Sequence, residues 1–388
     1  MASIRRPDRN NFPLLGERET LEPMRRLAAI RHFIAFRSLG VLALGWFAVS
    51  GVVGQTAAPA PQGAGTRPAS AAGDYLSRPE VQRFIDYMVA QHQFDVNVLR
   101  EYFAEARHQP RVVSLMTPAP SGARRSWAQY RTRVVDPYRV EMGLAFWRAH
   151  REPLREASER FGVPEEIIVS IIGIETNYGR VTGTFRVFDT LVTLSFDYLR
   201  RAEFFKGELE QFLLWIRDNR LDVMGPHGSY AGAIGIPQFL PGSIRRHAID
   251  LDGDGRVDLS RNPADAIGSV ANFLANHGWQ RGAPTHFAAA VGPSSGIDRF
   301  VQAGIEPQFK IAELEQAGVR SAAVVPQQTP LALIEFPNGD QPSQHILAAP
   351  NFYVITRYNR SSFYAMAVIE LAEKLRTDLA ARTRAQNG

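Results

Sequence analysis

The sequence contains no cysteine, which excludes thiol catalysis, disulfide bonds and a cysteine-linked lipid as features of these 388 residues. An exported protein of this composition relies on its packed core. A strong charge bias is also missing. The formal net charge is +5, but residues 1–54 contribute eight arginines against four acids, so the remainder carries only +1. The pI of 9.6 is therefore weak support for a nucleic-acid partner, and none is expected. No G-x-G-x-x-G follows a strand-like segment, so a dinucleotide loop and an organic cofactor are not expected. His227, His247 and His277 lack metal-ligand spacing, and there is no internal repeat. What remains, 45% hydrophobic and 21% charged, is the composition of an ordinary globular protein, long enough for two or three domains or for one domain with lobes.

The chain opens with a pattern used for targeting. Arg25, Arg26, Arg31 and Arg37 precede an apolar run from Leu39 to Gly54, and small residues follow. The run is shorter than the ~20 apolar residues of a membrane span, which favours a cleaved export signal over residues 1–54. The alternative is an uncleaved inner-membrane anchor, the one membrane contact expected. Residues 55–73, rich in Ala, Pro, Gly and Ser, read as a flexible tether.

Beyond the tether the chain reads as predominantly helical. Ser77 to His108 carries Val81, Phe84, Ile85 and Met88, then Phe94, Val96, Leu99 and Phe103, and predicts two amphipathic helices. Ser126 to Pro137 reads as extended and leads into further helices, two more of them between Thr182 and Asn219. Near the C-terminus, LALIEF and NFYVITRY, rich in β-branched and aromatic residues, predict two strands around the turn-like PNGDQPSQ. A last helix is expected from Ser362 to Arg382. The fold class is α+β, predominantly α.

The most informative stretch runs from Val163 to Arg180. Gly162 can close one helix, Pro164 suits the start of another, and Glu165 and Glu166 complement the helix dipole. Ile168, Ile171 and Ile172 define one face, and that face continues at Glu175. A carboxyl group on a core-facing stripe loses hydration, which raises its pKa and suits it to donate a proton; the same placement would also fit a core-edge glutamate tied to an arginine or an amide. Downstream, residues 223–243 carry Gly225, Gly228, Gly232, Gly235 and Gly242, a composition that lets backbone approach a ligand closely.

A second chemical signal is DLDGDGRVD. Asp250, Asp252 and Asp254 occupy positions 1, 3 and 5 of an EF-hand-like loop, Gly255 occupies position 6, Arg256 would offer its carbonyl, and Asp258 stands at position 9. Position 12 is Arg261 rather than glutamate, which leaves Asp265 as the carboxylate able to reach back. Crowded aspartates repel one another unless a cation is present, so a structural Ca²⁺ is expected.

IETNYGR, SYAGAIGIPQFLPGS, the DLDGDG loop, DAIGSVANFLANHGW and FYVITRYNRSSFYAMAV, in that order, resemble the lytic murein transglycosylase B family over about residues 77–375. The resemblance implies a lysozyme-like core (about 161–285, including a calcium loop at 250–265, completed by 351–382), a helical lobe (about 77–160) and a small β lobe (about 286–350) within a catalytic region spanning 74–388. It implies a periplasmic enzyme acting on peptidoglycan glycan strands. No separate wall-binding module is read after the last helix, so a cell-wall enzyme complex is a further expected partner. Glu175 matches the family's acid/base. Ser229 matches the hydroxyl that orients the acid. Gln238, Phe239 and Tyr130 match sugar contacts, Arg200 and Arg201 match a pair that binds the acidic part of the muramoyl residue, and Tyr358, Asn359 and Tyr364 match the wall of the cleft. Phe273 stands where the family often has tyrosine, so a core role fits it as well as a contact.

The residues read alone leave two alternatives. A hydrolytic muramidase needs a second carboxylate, from Asp189, Asp197 or Asp222. A non-catalytic, calcium-stabilised binder of peptidoglycan needs no acid at all. Residues 175–180, 228–242 and 357–364, which read as the cleft segments, hold a single acid, Glu175.

Overall fold

A computed structural model describes residues 74–117, 125–292 and 296–387; the expected targeting segment and tether lie outside them. Helices dominate, and a small antiparallel sheet accompanies them. Among the described residues, no helix is long and apolar enough to cross a membrane.

The helix Glu165–Thr176 lies at the centre. Gly162, at φ +76°, closes the preceding helix Arg151–Phe161, and Pro164 precedes the first turn, which carries Glu165 and Glu166. Every side chain from Ile167 to Ile172 is buried, not one stripe alone. A helix that is apolar all round belongs inside a bundle. Helices Pro137–Ala149, Arg151–Phe161, Pro263–Asn276 and Ser362–Asn387 surround it. The two helices expected between Ser77 and His108 are Pro79–His92 and Val96–Glu105. Those expected after Thr182 are Val187–Phe196 and Ala202–Asn219, joined by a 3-10 turn at Leu199–Arg201.

Two segments depart from the sequence reading. Trp127–Val134 is a helix where an extended piece is expected. Ser126 accepts a hydrogen bond from the amide of Gln129 at its start, and buried Trp127 meets Phe336 and Phe363 at 5.2 and 5.4 Å. Side-chain capping and tertiary contacts outweigh the local preference of WAQYRTRVV. Likewise, NFYVITRY is not a strand but most of the helix Pro350–Tyr358, started by Pro350 and burying Phe352, Val354 and Ile355. Apolar residues spaced three apart fit either period in so short a run. The strand partner of Ala332–Asn338 is Gln341–Ala348, which takes in part of the turn-like segment.

The four-stranded sheet has the order Val319–Ser321, His286–Val291, Gln341–Ala348, Ala332–Asn338, all neighbours antiparallel. Its two faces serve two cores. The pair Ile334 and Ile346, with Phe336, joins the main core, while the alternate pair Leu333 and Leu347 covers Phe300, Ile311 and Leu314. Strand alternation thereby attaches a satellite core to the helical body.

Candidate active site

Glu175 occupies the last turn of its helix, before Asn177 and Tyr178 turn the chain through left-handed conformations at φ +49° and +61°. It is half-buried. Burial pushes its pKa up to about 7, and a hydrogen bond from the Tyr364 hydroxyl to Oε1, 2.7 Å long, moderates the rise. At neutral pH a large fraction of the carboxyl groups therefore holds a proton.

The helix end is fixed on both sides. The Thr176 hydroxyl donates to the carbonyl of Ile236 (2.9 Å) and accepts from the amide of Gly179 (2.9 Å), which ties Glu175 to the glycine-rich segment. On the other side the Tyr178 ring enters the bundle, and its hydroxyl donates to the carbonyl of Arg139 (2.9 Å). Gly143 and Gly173 make room for that ring, since a Cβ at either position would lie within 2.5 Å of the Tyr178 hydroxyl.

An aromatic wall stands beside the acid. Tyr358 lies nearly parallel to Tyr364 with centroids 6.5 Å apart, and its hydroxyl donates to the carbonyl of Pro237 (2.6 Å). Burial, reinforced by the charge of Glu175, raises both phenols well above their usual pKa, so they remain donors. Tyr130 is half-buried against Trp127 and Phe363; burial and then Glu175 push its pKa up to about 12.

The glycine-rich segment does its close packing against backbone. A Cβ on Gly228 would lie 2.1 Å from the carbonyl of Ala233, and one on Gly235 would lie 2.4 Å from that of Leu259. Close approach to a ligand, as read from the sequence, is not what these two glycines permit. Within the turn, Ser229 Oγ accepts from the amides of Ala231 and Ala233 at 3.3 and 3.1 Å, which leaves its own proton to donate. Tyr364, not Ser229, makes the hydrogen bond to Glu175. Gln238 has φ +53°, and its amide donates to the carbonyls of Thr182 and Gly235, both at 2.9 Å. Its side-chain carbonyl is then the group a sugar hydroxyl can use.

The remaining expected residues divide. Phe239 and Phe273 are 2% and 6% exposed and pack on Tyr358 at 5.8 and 4.9 Å, so both support the wall from below instead of offering a ring to a sugar. Arg200 is exposed, whereas Arg201 is half-buried over the Phe204 ring at 4.1 Å. Burial lowers the Arg201 pKa, and the nearby charge of Arg360 adds to this. Asn359 follows Tyr358, and its buried Oδ1 has no hydrogen-bond partner among the described residues.

The carboxylates a muramidase would recruit are engaged elsewhere. Asp189 is buried and bound by Arg186, the amide of Arg107 and Gln109. Asp197 is held by Tyr75, Arg78 and His108, and Asp222 caps the amide of Met224. None of the three is among the groups that shift Glu175.

In the acidic loop, carboxylate oxygens of Asp250, Asp252 and Asp254 lie within 4.8 Å of one another, a set of hard oxygen donors that fits one divalent cation. Asp258 accepts from the amides of Ser260 and Arg261. Asp265 does reach back, but onto backbone: its oxygens accept from the amides of Leu251 and Asp258 at 3.0 and 2.7 Å, and it is fully buried. It is placed as a brace of the loop, outside the convergent trio.

Residues 77–373 match the family described as transglycosylase SLT domain. The chain is 41% identical over 309 residues to the membrane-bound lytic murein transglycosylase B of Escherichia coli, covering 78% of this chain and 84% of that protein. Its fold is similar to that of the Pseudomonas aeruginosa lytic transglycosylase SltB1, with a TM-score of 0.74 at 40% identity over 78% of this chain and 98% of the other. It is also similar to the E. coli lytic transglycosylase Slt35 solved in complex with calcium, with a TM-score of 0.71 at 39% identity over 80% of this chain and 97% of the other.

Proposed function

The chain belongs to the transglycosylase SLT-domain family and is a lytic murein transglycosylase, and we propose that it cleaves its substrate with Glu175 as the one acid and base. Glu175 protonates the glycosidic oxygen between N-acetylmuramic acid and N-acetylglucosamine, and the bond from that oxygen to the muramoyl C1 breaks. The substrate's own N-acetyl group stabilises the positive charge at C1. The Glu175 carboxylate then removes the proton from the muramoyl 6-hydroxyl, whose oxygen closes on C1. A 1,6-anhydro ring forms, no water is consumed, and Glu175 ends protonated, carrying the proton of the 6-hydroxyl in place of the one that left with the N-acetylglucosamine.

The observation that carries this reading is the placement of Glu175 at the end of its buried helix, with the Tyr364 hydroxyl on Oε1 and no second carboxylate acting on it among the described residues; burial there raises its pKa to about 7. Such a group can serve as acid and as base near neutrality. Tyr364 keeps it oriented through both steps. A hydrolase would need a second carboxyl group across the bond. Mass analysis of the fragments released from purified peptidoglycan tests the proposal. Ends one water lighter than hydrolysis products are expected, and reducing ends would assign a muramidase instead.

The basic-then-apolar N-terminal pattern supports export to the periplasm. Protein found in the cytoplasm after cell fractionation would contradict it.

We also assign a structural Ca²⁺ to the acidic loop, supported by the convergence of Asp250, Asp252 and Asp254 and by the calcium complex of Slt35. The carbonyl of Arg256 and the carboxylate of Asp258 would complete the set, with Asp265 holding the loop backbone. The ion would neutralise the acids and order the loop without touching the chemistry. Adding excess Ca²⁺ to chelator-treated protein should raise Tm by about 5 °C, the shift for a ligand at some hundred times its Kd. An unchanged Tm of the unaltered protein, or an equal rise with Asp252→Asn, would remove calcium from this loop.

A further inference from the structure

The turn that follows Glu175 sends its side chains in opposite directions. Tyr178 goes inward between Gly143 and Gly173 and anchors on the carbonyl of Arg139. Arg180 stays exposed and donates from Nη1 to the hydroxyl of Tyr138 (3.1 Å), the residue just before Arg139. Tyr138 is 55% exposed, and Val181 beside the pair is 43% exposed. Arg180 has no carboxylate partner among the described residues, in contrast to Arg139, which follows Tyr138 and pairs with Asp136, and to Arg186, which pairs with Asp189. An open aromatic ring with an unneutralised guanidinium at its edge is thus fixed in place by the buried Tyr178 anchor.

The position favours substrate contact. Arg180 stands five positions beyond Glu175, at most about 18 Å of extended chain. Within the same turn the carbonyl of Thr182 receives the Gln238 side chain and Thr176 reaches Ile236, so the turn runs along the glycine-rich segment that the sequence reads as part of the cleft. Aromatic faces stack on the apolar faces of sugars, and guanidinium groups pair with carboxylates.

We propose that Tyr138 and Arg180 form an outer subsite that binds a muramoyl residue away from the scissile bond, the ring against the sugar and Arg180 on a carboxylate. The proposal rests on the murein-cleaving activity assigned above. Two carboxylates meet the chemistry, that of the lactyl group and those of a peptide stem.

The test compares KM and kcat of the full-length protein and its Arg180→Ala, Arg180→Lys and Tyr138→Ala forms. The substrates are glycan strands with their stems and strands from which an amidase has removed them. Arg180→Ala and Tyr138→Ala should raise KM about tenfold with kcat changed less than twofold, and Arg180→Lys should recover part of the loss. If the Arg180 effect disappears on stem-free strands, the carboxylate belongs to the stem; if it persists, it belongs to the lactyl group. An unchanged KM for Arg180→Ala, or a fall in kcat that follows a lowered Tm, would overturn the subsite. Should the unaltered protein release no anhydro ends in the same assay, the assigned activity fails and the subsite is not what was refuted.

Discussion

Replacing Glu175 with Gln is expected to lower kcat by about 10⁴-fold, the upper end for loss of a general acid and base. The size follows from the lack of a substitute. Among the described residues, no other carboxyl group acts on Glu175, and Asp189, Asp197 and Asp222 are committed to partners elsewhere. The glutamine amide can still accept from Tyr364, so the fold should survive. In the unaltered protein, kcat/KM should fall tenfold per pH unit above about 7, where the required proton is lost. Stability has the same origin and a definite sign. The folded pKa, about 7, exceeds the ordinary glutamate value, so between the two the folded state keeps a proton that the unfolded state has released. Stability from this group is complete at low pH and is lost as pH rises through 7. Glu175→Gln should therefore raise Tm at pH 8 relative to the unaltered protein and leave it unchanged at pH 4. A variant that retains a tenth of the activity would remove Glu175 from the reaction.

Gly183→Ala should be the most damaging single methyl near the site, costing about 3–4 kcal/mol. Gly183 has φ +101°, a conformation hostile to an L side chain, and its Cβ would lie 2.1 Å from the carbonyl of Gly228 and 2.6 Å from the amide of Ser229. Both obstacles are backbone, so no rotamer change relieves them. Strain and overpacking each contribute of order 1–3 kcal/mol. Relief requires the Phe185–Arg186 pairing with His227–Gly228 to part, which moves Ser229 away from its turn. Gly282→Ala isolates the first term. Gly282 has φ +73° with nothing near its Cβ, so about 1 kcal/mol is expected with activity retained. Urea unfolding of the two variants measures the difference, and equal losses would mean that the Gly228 contact carries no weight.

Much of this protein can be read from the sequence because its strongest signals are local. The Glu175 helix is specified by Gly162, Pro164, the paired glutamates and the isoleucines within 14 residues, and the aspartate spacing of the acidic loop is complete within nine. Periodicity and capping act over such distances. Short segments whose composition suits two periods are decided elsewhere. NFYVITRY became a helix because the body of the protein buries Phe352, Val354 and Ile355 on it, and WAQYRTRVV became one because Trp127 has Phe336 and Phe363 to pack against. The site divides in the same way. An acid on an apolar face is visible in the sequence, but its pKa of about 7 depends on the density of atoms around it and on Tyr364, 189 residues away. No spacing rule connects those two residues, nor Thr176 with Ile236, nor Arg180 with Tyr138. The sequence by itself determined which groups could do the chemistry; only the tertiary structure decided their protonation and their partners, since desolvation and hydrogen bonding depend on what lies nearby in space and not along the chain.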